Sequence, residues 1–302
     1  MSRATNKYSD IKGGRERGPK QHKTHVHKTP GEIMRIASEQ VVSTHPQNTV
    51  KNAATLMAEN DVRRLPVIEA GKERLTGLVT AIDILDFLGG GPKYNIIKKD
   101  FQGNFLKAVN CPISKIMRES QYLITTSSIQ DAADIILNKS SCIPVVENTK
   151  TMKVVAIVTE RDMLPETHEV GVKISEVMRK NPITASPGMM LGDASKIMVR
   201  NQLRRLPVIS EEHLLGVVTV FDILRFLEKG EYKGSNTEEN LSTRVEKIMI
   251  TDVVTLKPTE DLGKAVKLIK KTGIGGFPVV EGKKLAGILT TTDILRQIYL
   301  NS

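Results

Sequence analysis

The sequence predicts a mixed α/β (α+β) fold made of four β-α-β-β-α units of about 60 residues each, a period typical of chains built from repeated supersecondary units. The main observation is a seven-residue phrase, a short β-branched apolar run followed by Thr-x-x-Asp, which occurs four times. A second is a strand pattern with Pro-Val, which precedes each copy. Such apolar runs indicate buried strands, and the helical spacing of Ile82, Leu85 and Leu88 predicts that the strand leads into a helix. The four copies are Gly77–Asp83, Ala156–Asp162, Gly216–Asp222 and Gly287–Asp293.

The other elements of each unit precede this phrase in a fixed order. A short helical anchor that ends in Met comes first, and a strand fragment and a turn follow it. An amphipathic helix comes next, with apolar residues at helical spacing, such as Val50, Ala53 and Met57 in the first unit. The anchors end at Met34, Met117, Met178 and Met249, and the strand fragments cover residues 41–42, 123–125, 183–184 and 253–255.

Two kinds of unit alternate along the chain. Units one and three share the stretch Arg-Arg-Leu-Pro-Val-Ile, at residues 63–68 and 204–209, which units two and four lack. The chain is therefore a duplicated pair, and we expect its units to pack in pairs because a single unit of this size cannot bury its apolar faces alone. The predicted boundaries are a basic arm at 1–30, units at 31–90, 113–165, 174–229 and 245–302, and linkers at 91–112 and 230–244.

The Thr and Asp of each phrase fall in the first turn of a predicted helix, where backbone N–H groups lack partners. They can form a capping box, in which the hydroxyl accepts one N–H bond and the acid reaches back to the N–H of the Thr. They can also bind a polyol, because a hydroxyl and a carboxylate on one turn can hold the two vicinal hydroxyls of a ribose. Glu reaches better than Asp in a capping box and all four copies have Asp, so the pattern favours polyol binding over capping alone.

A unit with this element order, a Leu-Pro-Val strand and a closing Thr-x-x-Asp phrase resembles a cystathionine β-synthase (CBS) domain. Residues 31–300 carry the resemblance, and the four units look like two Bateman modules, as in stand-alone archaeal CBS proteins and the gamma subunit of AMP-activated protein kinase. The resemblance implies a pseudo-symmetric disk with clefts toward its centre that bind AMP, ADP, ATP or S-adenosylmethionine. The residues that it assigns to ribose and phosphate are Thr80, Asp83, Thr159, Asp162, Thr219, Asp222, Thr290 and Asp293.

Arginines complete the implied clefts, because Arg presents paired donors that match phosphate oxygens. Successive strand residues point to opposite faces, so we expect one Arg of each pair to face a cleft and the other to be solvated or to bridge between units. Arg161 and Lys153 are the predicted substitutes in unit two. Unit four offers no charge of its own at this place, so occupancy is least expected at Asp293 unless residues of neighbouring units meet the phosphates there. The resemblance assigns phosphate binding to Arg64 and Arg205 and places Val62, Arg63, Leu203 and Arg204 at the edge of the base.

Composition excludes several other classes of protein. Cys111 and Cys142 lack metal-ligand spacing and indicate reduced thiols. No apolar run reaches the length of a membrane span and the N-terminus has no signal core, so we expect a cytoplasmic protein that binds no membrane. The repeats contain no Ser/His/Asp grouping, no GxxxxGK loop and no metal cluster, so we expect a non-enzyme without a catalytic cofactor or metal.

The formal charge of +10 is concentrated at the N-terminus, where residues 1–30 contain eight Lys or Arg and two acidic residues. With almost no apolar residue to bury, this arm is expected to be flexible. Three functions remain open: an adenine-nucleotide sensor that transmits occupancy to an unidentified partner protein, a nucleic-acid-associated protein that binds weakly through residues 1–30, and a structural dimerisation module. Both a monomeric disk and a homodimer fit the sequence.

Overall fold

The computed structural model describes residues 31–166, 169–228 and 241–300, which form a mixed α+β fold. The basic arm and most of the predicted linker 230–244 lie outside this range. The helices are α1 (Val50–Glu59), α2 (Ala81–Leu85), α3 (Tyr94–Phe101), α4 (Phe105–Val109), α5 (Ile129–Asn138), α6 (Ile174–Val177), α7 (Leu191–Arg200), α8 (Val220–Glu228), α9 (Leu262–Thr272) and α10 (Thr291–Leu300). The strands are β1 (Arg64–Ile68), β2 (Leu75–Thr80), β3 (Leu123–Ile124), β4 (Cys142–Val146), β5 (Val154–Thr159), β6 (Arg179–Lys180), β7 (Arg205–Ser210), β8 (His213–Thr219), β9 (Gly276–Glu281) and β10 (Lys284–Thr290).

Each unit contains the predicted antiparallel hairpin, formed by β1 with β2, β4 with β5, β7 with β8, and β9 with β10. The register pairs the Thr of the phrase with the residue that begins the Pro-Val strand. Thr80 therefore lies opposite Arg64, and Thr219 lies opposite Arg205. Neighbouring strands are about 4.8 Å apart. The hairpin thus brings an Arg and a Thr-x-x-Asp phrase to the same end of units one and three.

Capping side chains and left-handed residues set the ends of the long helices. The hydroxyl of Thr49 accepts the N–H of Asn52 at 3.0 Å and begins α1. Ser128 and Asp131 form a capping box that begins α5. Gly273, with a φ of 74°, ends α9 in the left-handed conformation that glycine adopts without strain.

The structure corrects two parts of the predicted unit. Only unit two has a regular first strand, β3, whereas the other units form single bridges at Thr44, Ala185 and Leu256, one or two residues beyond the predicted fragments. The second correction concerns the helix after the phrase of unit two, where residues 160–163 form a turn. Pro165 explains this difference, because proline lacks an N–H and disfavours a helical conformation in the residue before it.

Strand contacts join the units within each predicted module. In the first module Leu78 bridges to Arg118 and Ser38 bridges to Ile157. In the second module β6, from the start of unit three, pairs with β10 of unit four. The glycine of the phrase lies at this contact, since a Cβ on Gly77 would lie 2.8 Å from the carbonyl oxygen of Arg118. Units one, three and four require glycine there because another chain segment crosses it closely, whereas unit two has Ala156 at this position.

Helices join one module to the other. One buried apolar core combines residues of units one and three, where α1 packs against α8 and α7 packs against residues 86–90. The other core combines units two and four, where α5 contacts α10. Strand contacts within modules and helix contacts between them therefore close the four units into a ring. Each fully buried Leu or Phe in these cores contributes about 1.5–3 kcal/mol of transfer free energy.

Candidate functional site

The Thr-Asp pairs of units one, three and four form capping boxes, in which the Thr hydroxyl accepts the N–H of the Asp, whereas in unit two the hydroxyl of Thr159 accepts the N–H of Arg161. In all four units the carboxylate reaches back to the Thr. The hydroxyl of the Thr donates to Oδ2 of the Asp at 2.6, 2.8, 2.7 and 2.5 Å in units one to four. The backbone N–H of the Thr donates to the same oxygen at 2.9, 2.7, 2.6 and 3.0 Å. Asp therefore reaches the N–H of the Thr in every unit, so the choice of Asp over Glu does not itself argue against capping. Capping occupies only Oδ2, so the four copies differ in what surrounds Oδ1.

In units one and four a cation binds Oδ1. Lys93, from the first linker, lies 2.6 Å from Oδ1 of Asp83, and its ammonium also donates to the carbonyl oxygen of Ile116 at 2.6 Å. Arg179, in β6, donates from Nε to Oδ1 of Asp293 at 2.9 Å. Both carboxylates are buried. A ribose hydroxyl can donate to Oδ1 of Asp83 or Asp293 only if it shares that oxygen with the bound cation or displaces the cation.

In units two and three Oδ1 is open. Among the residues that the structure describes, Asp162 bonds through Oδ2 alone. Within the described ranges, the nearest cation to Oδ1 of Asp222 is Arg225 at 3.8 Å. Burial raises the pKa of Asp222, against the lowering effect of its Thr219 bonds and of Arg225. These two phrases combine a satisfied cap with a carboxylate oxygen that can accept from a hydroxyl group.

The ring encloses a cavity of about 460 Å³ to which all four units contribute, and which we call the central chamber. It extends from Thr80 in unit one to Thr290 in unit four. The chamber joins two of the predicted clefts, those beside the Asp83 and Asp293 phrases. Its most frequent lining side chain is arginine, at Arg63, Arg64, Arg118, Arg179, Arg204, Arg205 and Arg296.

Neither Arg of a pair is simply solvated, contrary to one of the two expectations for them. Arg64 donates to the hydroxyl of Ser141, and Arg205 donates to the carbonyl oxygen of Gly276, so each bridges to the other unit of its module. The guanidinium of Arg63 lies 4.7 Å above the ring of Phe221 in unit three, a cation–π contact between modules. Both pairs line the central chamber. The two modules therefore contact each other through the residues that were expected to bind ligand.

Burial and mutual repulsion depress the pKa values of these arginines. Burial, followed by the charges of Arg63 and Arg204, lowers the pKa of Arg205 to about 9. Burial, followed by the charge of Arg204, lowers the pKa of Arg63 to about 10. Burial likewise lowers the pKa of Arg64. Burial is the largest cause of each lowered pKa, and repulsion from neighbouring arginines adds to it, so the charged guanidinium groups are destabilised where they lie. An anion in the chamber would stabilise the charged form.

Glu160 is the one acidic side chain among the described residues that line the chamber. It is 6% exposed, its Oε2 lies 2.8 Å from Arg204, and its Oε1 accepts from Thr292 at 2.7 Å. Burial alone would raise the pKa of Glu160, but Arg204, Arg64 and the Thr292 bond together hold it below its ordinary value. An ionised Glu160 therefore neutralises part of the arginine charge.

A smaller cavity of about 150 Å³ lies beside the phrase of unit two. Val62 and Arg63 of unit one line one side of it, and Thr159 and Arg161 of unit two line the other. This arrangement places the expected base edge of one unit against the phrase of its partner. Arg161 donates to the carbonyl oxygen of Gly273 at 2.7 Å and so also contacts unit four.

One expectation about charge was wrong. Lys153 forms a surface ion pair with Glu73 at 2.8 Å and lines neither cavity, so it does not serve the cleft of unit two. At the Asp293 phrase a neighbouring unit contributes charge, because Arg179 of unit three contacts the carboxylate. Leu203 and Arg204 of unit three line the same chamber as Thr290.

Sequence reasoning overlooked Glu160, Lys93, Arg118 and Arg179. Arg118 and Arg179 had a detectable signal, since each directly follows the Met of a helical anchor. Arg118 lies 3.5 Å from Oδ2 of Asp83. Glu160 also had a signal, because it is the one acidic residue that directly follows the Thr in the four phrases. Lys93 had none, since it lies in a linker without a repeated counterpart.

The described residues contain neither a candidate membrane span nor a candidate metal cluster. Within residues 31–166, 169–228 and 241–300, no helix is both long and apolar enough to cross a membrane. In the same ranges, no three His, Cys, Asp or Glu side chains come together as a metal site would require.

The fold and site define a ring of four paired repeats whose Thr-x-x-Asp phrases surround an arginine-lined chamber. The CBS domain family matches residues 31–90, 113–168, 174–229 and 245–300. The chain belongs to the CBS domain family, and it carries four copies of the domain arranged as two Bateman modules.

Three archaeal proteins are similar over most of the chain. Protein MJ1225 of Methanocaldococcus jannaschii, an uncharacterised protein, is 35% identical over 275 residues, which cover 87% of this chain and 98% of that protein. Its crystal structure superposes with a TM-score of 0.80 over 88% of this chain and 99% of that one, at 34% identity, and is described as that of a proposed archaeal homologue of g-AMPK.

The second relative is an uncharacterised 33.4 kDa protein encoded in a ribosomal RNA operon of Thermofilum pendens. It is 29% identical over 260 residues, which cover 82% of this chain and 85% of that protein. The third is an uncharacterised conserved protein of Pyrococcus horikoshii, whose crystal structure superposes with a TM-score of 0.53 at 21% identity over 86% of this chain and 96% of that one. This last likeness shows the fold alone.

Proposed function

We propose that this protein is a non-enzymatic, cytoplasmic sensor of adenine nucleotides. It binds AMP, ADP or ATP in the clefts between paired units and transmits occupancy to a partner protein. The observation that carries the proposal is the junction of Thr-x-x-Asp phrases with the arginine-lined chamber. Thr80 and Thr290 of the phrases line the central chamber and Thr159 lines the smaller cavity, in both cases together with guanidinium groups that could bind phosphate. The likeness to MJ1225, itself described as a proposed homologue of g-AMPK, supports the same function.

Ligand binding would affect a partner protein by changing the contacts between units of the ring. Arg63, Arg64, Arg204 and Arg205 each contact another unit, and the contacts of Arg63 and Arg204 cross from one module to the other. A phosphate that binds these guanidinium groups competes with contacts that hold the units together. Occupancy therefore biases the arrangement of the units, and a protein that contacts two units would respond to that bias.

The first experiment is a binding panel on the full-length protein. AMP, ADP, ATP and S-adenosylmethionine are compared by thermal melting and isothermal titration calorimetry, with GMP and GTP as controls for the base. A nucleotide at a hundred times its dissociation constant should stabilise the fold by about 2.7 kcal/mol. Mass spectrometry of nucleotide released from the freshly purified protein by denaturation identifies the ligand directly. A panel with neither a melting shift nor calorimetric heat would contradict the sensor proposal and leave the nucleic-acid and structural dimerisation hypotheses.

A matched pair of variants connects binding to the phrases. Asp162→Asn removes the carboxylate whose Oδ1 is open and should reduce the number of nucleotides bound per chain. Asp134→Asn removes the same charge from an exposed helix position, where Asp134 accepts from Gln130 at 3.2 Å, and should leave binding unchanged. Equal stoichiometry in both variants would show that the phrase of unit two does not bind ribose.

A further inference from the structure

Glu160 stands where three units meet and lines both cavities. Its carboxylate contacts Arg204 of unit three at 2.8 Å and Thr292 of unit four at 2.7 Å. The corresponding residues after the Thr in the other phrases are Ala81, Val220 and Thr291, which carry no charge. Glu160 is therefore a single departure from the repeat, and it places a negative charge beside the chamber's arginines.

Arg204 cannot bind Glu160 and a phosphate equally well at the same time. A guanidinium group forms its strongest bonds with one planar anion at a time, through a paired set of N–H donors. Nη2 of Arg204 already donates to Oε2 of Glu160 at 2.8 Å. A phosphate at Arg204 must share the guanidinium group with this carboxylate or displace the carboxylate, and a displaced Glu160 would remain buried without this ion pair. Both outcomes oppose the binding of negative charge at Arg204.

The charge of the phosphate chain sets the size of this opposition. Arg63, Arg64, Arg204 and Glu160 line both the cavity of unit two and the central chamber, so a nucleotide bound there lies near the arginines and near the carboxylate. A triphosphate carries more negative charge than a monophosphate, so the Glu160 carboxylate repels it more strongly.

We propose that Glu160 is a specificity-determining residue, which occupies Arg204 as an internal carboxylate and thereby favours nucleoside monophosphates over triphosphates. This inference rests on the proposed function, since it presumes that adenine nucleotides bind. It adds a physical reason for the class of ligand preferred at one cleft. It also makes Glu160 an intramolecular competitor of phosphate, which acts between units two and three.

The test compares dissociation constants for AMP and magnesium-free ATP, measured by calorimetry on the full-length wild type and on Glu160→Gln. The amide of Gln keeps the size of the side chain and can still accept from Thr292, but it releases the charge of Arg204. The ratio of the ATP to the AMP dissociation constant should fall about tenfold, equivalent to about 1.4 kcal/mol. The control, Glu73→Gln, removes the same charge from a surface ion pair with Lys153 and should leave the ratio unchanged.

Each other outcome has a defined meaning. Equal tightening of AMP and ATP would indicate a general charge effect, and an unchanged or higher ratio would show that Glu160 does not discriminate; either result overturns the inference while leaving the proposed function intact. No binding of either nucleotide by the wild type overturns the proposed function itself. If Glu160→Gln does not fold, Glu160→Thr introduces the residue type that unit four has at this position. Failure of both neutral variants to fold would make Glu160 a structural anchor and also overturn the inference.

Discussion

Lys93 and Asp83 form an ion pair of 2.6 Å that ties the first linker to the phrase of unit one. The ammonium is held from two sides, because it also donates to the carbonyl oxygen of Ile116. Asp83 is 6% exposed, so its charge depends on this partner and on Arg118. The phrase of unit one is therefore the one whose carboxylate is most completely satisfied by the protein.

Replacement of Lys93 tests this relationship. Lys93→Met should lower the free energy of unfolding by about 1–3 kcal/mol, because it leaves a buried carboxylate oxygen without its donor. Urea denaturation at neutral pH measures the loss. Lys99→Met, on the exposed side of α3, removes the same charge and should change stability much less. Equal losses in the two variants would mean that the pair with Asp83 has no special role.

Asp222→Glu separates capping from ligand binding in unit three. The longer side chain can still reach the N–H of Thr219, since Glu is the usual partner in a capping box, so stability should change by less than about 1 kcal/mol. The carboxylate moves relative to the cleft, so the number of nucleotides bound per chain should fall. Calorimetric stoichiometry and urea denaturation are the two measurements. Normal nucleotide binding by Asp222→Glu, with lost stability in Asp222→Ala, would favour capping as the whole role.

Two buried carboxylates predict opposite responses to acid. The pKa of Glu160 lies below its ordinary value, so its contribution to stability is fully present above about pH 4.3 and is lost as the pH falls through the folded-state value. Burial raises the pKa of Asp222, so its contribution is present below about pH 3.9 and is lost as the pH rises through the folded-state value.

Acid titration of two variants checks these signs. The free energy of unfolding of Glu160→Gln should fall less steeply than that of the wild type between neutral pH and pH 3. That of Asp222→Asn should fall more steeply, because the stabilising protonation of Asp222 is lost. Urea denaturation at a series of pH values measures both slopes. The same change of slope in the two variants would contradict the assignment of opposite shifts.

Removal of residues 1–30 tests the nucleic-acid hypothesis, which falls on residues outside the described part of the chain. The arm has little apolar surface, so its deletion should leave the melting temperature and nucleotide affinity nearly unchanged. Its eight basic residues should carry most of any attraction to RNA or DNA, with an affinity that falls steeply as salt rises. Filter binding at several salt concentrations, with and without the arm, measures this. Lost nucleotide binding in the truncated protein would indicate that the arm contributes to a cleft.

Local repetition explains which parts of the fold were predictable. The hairpins and amphipathic helices follow from patterns that recur four times, so a weak pattern in one unit did not prevent their prediction. The prediction of a helix after the phrase of unit two was wrong because Pro165 is a local departure from the repeat. The first strands were displaced because a single bridge, such as that of Thr44, leaves little periodicity in the sequence.

The site was less predictable than the fold because its decisive contacts join distant residues. The Thr-Asp phrases are local and could be found, but the partners of Oδ1 depend on how units cross. Arg179 contacts Asp293 across 114 positions in the chain, and Glu160 contacts Thr292 across 132. No spacing rule connects such residues. The cation on Asp83 illustrates the same limit, since Lys93 belongs to a linker.

The helix contacts pair each unit with its own kind, unit one with three and unit two with four. This is the isologous arrangement that two identical two-unit chains would adopt about a twofold axis. The present chain therefore has the architecture of a homodimer whose subunits have been fused, with a tether that keeps the halves at high effective concentration. Fusion also allows the amino-acid sequences of the two halves to differ. A symmetric dimer would have to carry any acidic residue twice at its axis, whereas this chain has Glu160 in one half and Thr291 at the equivalent position of the other.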